Sequence, residues 1–140
     1  MAERTGPGGD AMSVFSHVHF QILPATDVAR ARDFYRDVLG FAVKRDAPYG
    51  DSRWVFMALP GAATMVHFDK VDELPFHHQP KLVLAASDVD VAIAGLEAKG
   101  VSLVAGPDDA PWEPGLRWAM FRDCEGNLIL IQTVKEEYDG

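Results

Sequence analysis

Apolar residues along this chain switch twice from every second position to every third or fourth, and the same punctuation marks both switches. Val14, Phe15, Val18, Phe20, Ile22 and Leu23 lead to Pro24, which lacks an amide hydrogen, so a first strand is expected over 14–24. A helix follows at once. Thr26 or Asp27 supplies the capping oxygen, Val28, Ala31, Tyr35, Val38 and Leu39 fall on one face with Phe34 beside them, and Arg30, Asp33, Arg36 and Asp37 lie elsewhere. Gly40 suits the left-handed residue that stops a helix. Three further strands are expected over 41–45, 53–59 and 63–68, with a turn at Ala47 to Asp51 and another at Pro60-Gly61. Trp54, Phe56 and Ala58 share one face of the third strand; Met65, His67 and Asp69 share one face of the fourth.

The order then repeats. Residues 69–80, with charges, two prolines and the pair His77-His78, form a linker. Lys81 to Ala86 is a strand, and Ser87 with Asp90 three residues on makes an acidic capping box that opens a second helix, with Val89, Ala92, Ile93 and Leu96 on its apolar stripe and Gly100 as its stop. Strands over 101–105, 116–121 and 128–134 follow, the first two separated by a proline-rich loop at 106–115 around Trp112 and the last two by the tight turn Asp123 to Asn127. The chain is one module written twice: strand, helix and three strands over about 14–70, and again over about 81–134. Leu128 and Leu130 on one face of the last strand and Ile129 and Ile131 on the other require cover on both sides, by core or by a ligand cavity.

Composition narrows the partners. With 140 residues and 48% hydrophobic positions, the chain has enough apolar material for one domain without disulfides. A net charge of −8 lacks the basic footprint that phosphate backbones require, so nucleic acid is not expected as a partner. No apolar run approaches the length of a spanning helix, which removes the membrane from the expected partners and points to a cytoplasmic protein. Cys124 is the single cysteine, excluding an internal disulfide, and reads as an ordinary turn residue. Residues 1–13, with Gly6, Pro7, Gly8 and Gly9, read as a flexible tail in which Met12 is a second candidate start.

Four pieces of the sequence together resemble the vicinal oxygen chelate superfamily of glyoxalases, extradiol dioxygenases and bleomycin-resistance proteins. They are Leu23 to Val28, Asp33 to Phe41 (Asp-Phe-Tyr-Arg-Asp-Val-Leu-Gly-Phe), Ser87 to Asp90, and Phe121 to Ile129 with its Gly126-Asn127 turn. The resemblance covers about 18–134. It implies an α+β fold of two βαβββ modules, with sheets curled around a shared cavity that a homodimer often completes. The metal enzymes of the superfamily take one ligand from the first strand and one from the last strand of each module. Laid on Asp27, Asp88 and Gly126, those places fall at Phe20, His67, Lys81 and Leu130. Only His67 is an ordinary metal ligand, so no metal site and no cofactor is expected; a one-residue slip would bring in His19.

The candidate ligand-binding residues are Trp54, Phe56, His67, Lys81, Trp112, Arg117 and Trp118. Aromatic walls with a few polar groups suit a planar ligand. Trp54 and Phe56 are stacking residues if their face lines the cavity and core residues if it meets the helix. His67 and Lys81 are the catalytic candidates, as general base and electrostatic anchor; the alternative is one internal hydrogen bond for His67 and a lysine stem reaching solvent. Trp112 resembles the proline-tryptophan segment of bleomycin-resistance-like members. Arg117 and Arg122 are candidates to pair with a ligand acid, Arg122 equally a turn residue. His17, His19 and Gln21 share parity and suit a strand entrance or a dimer seam. Two functions remain open. One is metal-independent sequestration of a planar or antibiotic-like small molecule. The other is a lyase, isomerase or dioxygenase working through a divergent metal site or through His67 and Lys81. A subunit or regulatory role is a third.

Overall fold

The computed structural model describes residues 13–134, so all but Ser13 of the expected tail lies outside the described residues. The element order is β1 (Phe20–Ala25), α1 (Val28–Asp37), β2 (Ala42–Tyr49), β3 (Ser52–Ala58), β4 (Met65–Lys70), then β5 (Leu82–Ala86), α2 (Val89–Ala98), β6 (Leu103–Asp109), β7 (Arg117–Arg122) and β8 (Leu128–Thr133). The fold is α+β, with two four-stranded sheets and one helix to each, as the sequence pattern predicts. In each sheet the first strand pairs parallel to the fourth and the rest are antiparallel, giving the orders β1-β4-β3-β2 and β5-β8-β7-β6.

Both helices start on an aspartate, the second at Asp88 and not at the expected Ser87, because it is the Asp88 carboxylate that reaches the first-turn amide. Asp27 accepts from the Arg30 amide at 3.0 Å and Asp88 from the Val91 amide at 3.1 Å, each satisfying a first-turn donor that has no partner within its helix. Val28, Ala31 and Tyr35 on α1 pack against Leu23, Val55, Met57, Val66 and Phe68 on the sheet behind it. Val89, Ile93 and Leu96 on α2 meet Ala119, Phe121, Ile129 and Ile131 in the same cluster, so one hydrophobic core runs through both modules.

β1 begins only at Phe20, leaving residues 14–19 of the expected first strand outside it with Val14, Phe15 and Val18 exposed; two further strands, both sheet edges, run past their expected ends. Ala47, Pro48 and Tyr49 were expected in a turn but extend β2, and Gly106 to Asp109 extend β6. Proline marks a turn where its amide is needed; on an edge strand the nitrogen faces no partner, and the ladder continues past it. Both strands also shift register, between Val43 and Arg45 on β2 and between Leu103 and Asp108 on β6. Each shift puts an extra residue on the edge strand and changes which later side chains reach which face.

The turn between β7 and β8 joins the modules. The Tyr35 hydroxyl, buried in α1, donates to Asp123 at 2.7 Å, and Asn127 Nδ2 donates to the Pro24 carbonyl at 2.9 Å. Glu125, whose side chain is 1% exposed, accepts from the amides of Thr26 and Asp27, the Thr26 hydroxyl and Arg30 Nη2 at 2.7–3.1 Å. Its negative charge stands where the α1 dipole is positive.

Candidate functional site

The face of the first sheet turned away from α1 is built by strand parity. Because Val55, Met57, Val66 and Phe68 point into the core, their neighbours Trp54, Phe56 and His67 must point the other way. Phe20 and Ile22 on β1 join them, paired with Met65 and His67. The His67 ring is 7% exposed and held among aromatics: stacked on Phe56 at 4.5 Å between centroids, tilted on Trp54 at 4.6 Å and edge-on to Phe20 at 5.6 Å. Its Nδ1 lies 2.9 Å from the Val55 carbonyl oxygen. A carbonyl only accepts, so this bond puts the proton on Nδ1 and leaves the lone pair of the neutral ring on Nε2.

Trp54 caps the cluster and is 38% exposed, with Tyr49 5.4 Å from it on its outer side. Its ring lines two open cavities. One of about 230 Å³ includes Tyr49, Arg53, His67 and Lys70 in its wall; the other, of about 310 Å³, is formed by Arg45, Ala47, Pro48, Tyr49 and Trp54. Module one alone lines both. The structure therefore brings together Trp54, Phe56 and His67 and adds Phe20, Tyr49 and Arg45.

The other candidates lie elsewhere. Lys81 precedes β5 on the second sheet, its amide donating to the Leu128 carbonyl at 2.8 Å, and it lines neither cavity beside Trp54. Trp118 on β7 pairs with Gln132. Arg117, next to it in sequence, has the opposite parity, and its guanidinium is engaged by Asp90 at 3.0 Å and Asp109 at 3.1 Å. The hydrogen bonds to Asp90 and then Asp109, aided by their charges, raise its pKa above the ordinary arginine value. Trp112 sits in the β6–β7 loop, 71% exposed. Arg122 donates to the Gly126 and His77 carbonyls and lies over the Phe76 ring, so it fastens the linker to the β7–β8 turn. Cys124 beside them is a poor nucleophile: burial first, then Asp123, pushes its thiol up to about 12.

Comparison with known proteins places this geometry. Residues 15–131 match the family model of the Glyoxalase/Bleomycin resistance protein/Dioxygenase superfamily. The chain belongs to that superfamily. Among solved structures, TnmS3, an antibiotic binding protein from Streptomyces sp. CB03234, is 33% identical over 88% of this chain and 99% of its own, with a TM-score of 0.75. A glyoxalase/bleomycin resistance protein from the same Streptomyces strain is 32% identical over 84% of this chain and 100% of its own, with a TM-score of 0.68. A superfamily member from Sphaerobacter thermophilus DSM 20745 is 28% identical over 87% of this chain and 100% of its own, with a TM-score of 0.75. Comparison with curated proteins gave no match.

Superfamily membership raises the question of a divalent metal, and the residues at the expected places do not fit one. The Phe20 ring stands beside His67 where a second ligand would be needed. His19 is no substitute: its carbonyl accepts from the Met65 amide, while Phe20 is the residue aligned with Met65 on the His67 face. Leu130 offers no lone pair, and a protonated Lys81 repels a cation. Among the described residues no three His, Cys, Asp or Glu side chains gather where they could hold an ion. No helix among the described residues is long and apolar enough to cross a membrane.

Proposed function

We propose that this protein binds a planar small molecule on the aromatic face of module one, by stacking and burial, and that a second copy of the chain covers the bound ligand. The observation that carries this reading is the Trp54 ring, 38% exposed, packed on His67 and Phe56 and lining two open cavities. Packed rings that leave one large face wet are poor core and good platform. The antibiotic binding described for TnmS3 supports the same class of ligand.

The cover follows from size and exposure. Ligand cavities run to about 300–1,000 Å³ and enclose most of the ligand. Of the two pockets beside Trp54, one at about 230 Å³ falls below that range and one at about 310 Å³ stands at its bottom, and both open to solvent. Ile22, Trp54, Val83 and Val104 are exposed apolar side chains on the two sheets, and a homodimer buries such surface.

Titration with a panel of planar antibiotics and aromatic metabolites, followed by tryptophan fluorescence, tests the reading. Saturable quenching by at least one compound is expected, weakened in Trp54→Ala. Absence of saturable quenching across the panel overturns it. Sedimentation equilibrium is expected to give the mass of a dimer.

A further inference from the structure

Arg45 occupies a position that the simple alternation of β2 would deny it. Val43 pairs with Met57 on the helix side, and continued alternation would send Lys44 to the ring face and Arg45 back toward α1. The register shift between Val43 and Arg45 reverses this. Arg45 pairs with Phe56, Phe56 with His67 and His67 with Ile22, so one row across the sheet reads Arg45, Phe56, His67, Ile22. The same shift sends Asp46 to the helix side, where it pairs with Arg32 and Arg53. Bulges of this kind re-aim side chains beside binding sites.

Among the described residues nothing engages the Arg45 guanidinium in a hydrogen bond or ion pair, whereas Arg30, Arg32, Arg36, Arg53 and Arg117 each hold a carboxylate. Arg45 is exposed and shares the cavity of about 310 Å³ with Ala47, Pro48, Tyr49 and Trp54. A charge on an edge strand also guards against stray pairing, but exposed Lys44, in the bulge itself, already serves that purpose. We propose that Arg45 selects ligands carrying an acidic group on a planar aromatic body: the body stacks at Trp54 and the acid meets the Arg45 guanidinium across the 310 Å³ cavity. The proposal rests on the stacking site described above and adds the chemical class of its ligand.

The test uses two probes of equal shape, 2-naphthoate and naphthalene-2-carboxamide, titrated calorimetrically into the full chain. The wild type is expected to bind the carboxylate about fivefold more tightly than the amide at low salt, with the gap shrinking as salt screens the pair. Arg45→Gln should lose the preference for the carboxylate over the amide, and Arg45→Lys should restore part of it. Equal affinities in the wild type, or a preference that survives in Arg45→Gln, overturn the assignment of Arg45 while leaving the stacking site in place. Binding of neither probe, or binding unaffected by Trp54→Ala, overturns the stacking site and this proposal with it.

Discussion

Across the sheet of module one a single row reads Ile22, His67, Phe56, Arg45; the matching row of module two reads Val83, Leu130, Met120, Ala105. In the next row each module has its tryptophan, with Trp54 beside Ala47 and Trp118 beside Asp108. The helix sides barely differ: an aspartate cap, an apolar stripe and a glycine at φ 85° or 86° past the helix end recur in both. What the fold needs is written on the helix side, and the other face is free to specialise. Beyond the shared tryptophan, the row of module one is aromatic and cationic, and that of module two aliphatic.

The turns differ as much as the faces. Glu125 of the β7–β8 turn holds the N-terminal end of α1, Asp123 holds Tyr35 two residues before its end and Asn127 the Pro24 carbonyl ahead of it, and among the described residues nothing comparable is seen at the β3–β4 turn, where Ala62 donates to the Leu59 carbonyl and Thr64 to that of Val18. Removing the larger contribution should hurt most. Asp123→Ala strips partners from the Tyr35 hydroxyl, the Asn127 side chain and the amides of Glu125 and Asn127, and is expected to cost roughly 3 kcal/mol or more in urea denaturation. Pro60→Ala in the matching turn should stay within about 0.5 kcal/mol. A similar loss from both would erase the asymmetry.

The edge strands give the next largest effect. Gly106 sits at φ 79°, and a Cβ there would lie 2.8 Å from the Trp118 carbonyl oxygen and 2.9 Å from the Ala119 Cα. Gly106→Ala is expected to lose roughly 1–3 kcal/mol, while Lys44→Ala, at the exposed bulge of module one, should be near neutral by the same denaturation assay. For the two faces, Trp54→Ala should weaken planar-ligand binding about tenfold, equivalent to about 1.4 kcal/mol. Trp118→Ala should weaken it less; the reverse order by calorimetry would move the site to module two.

The smallest expected effect depends on pH. Burial alone pushes the Glu125 carboxyl up, but hydrogen bonds from Arg30, Thr26 and Asp27 outweigh it and hold the group below its ordinary range. A carboxylate with a lowered folded pKa stabilises the fold above its unfolded value, about 4.3, and that contribution disappears as pH falls through the folded value. Glu125→Gln should therefore be less stable than wild type by about 1 kcal/mol at neutral pH, with the gap closing in acid. Thermal melts between neutral pH and pH 3 measure this.

How much of this the sequence discloses depends on how local the cause is. The places where the helices start, the helix stripes and the shared parity of Trp54 and Phe56 come from residues a few positions apart, and local pattern shows them, although the second cap falls on Asp88, one residue after the expected Ser87. Pro48 read as a turn because its amide deficit is visible in the sequence while its position at a sheet edge is not. Arg45 was missed for the same reason: a bulge changes side-chain parity, and nothing in the local composition marks it. Arg117 was expected near a ligand acid because its charge is evident, whereas its ion pair with Asp90 on α2 depends on how helix and sheet pack. The Glu125 clamp spans nearly the whole chain, and no window of sequence contains both ends.

That span bears on the order in which the chain can finish folding. The amide of Thr26 is satisfied by a carboxylate 99 residues downstream, and the Tyr35 hydroxyl by one 88 residues downstream. During synthesis from the N-terminus, the first helix emerges long before the turn that secures it. Until residue 125 has left the ribosome, its first turn has only Asp27 and water to rely on, and a nascent first half is a helix and a sheet awaiting their clasp. The last contacts of the first half therefore have to wait for the second, and closing so long a loop carries its entropy cost at the end of synthesis.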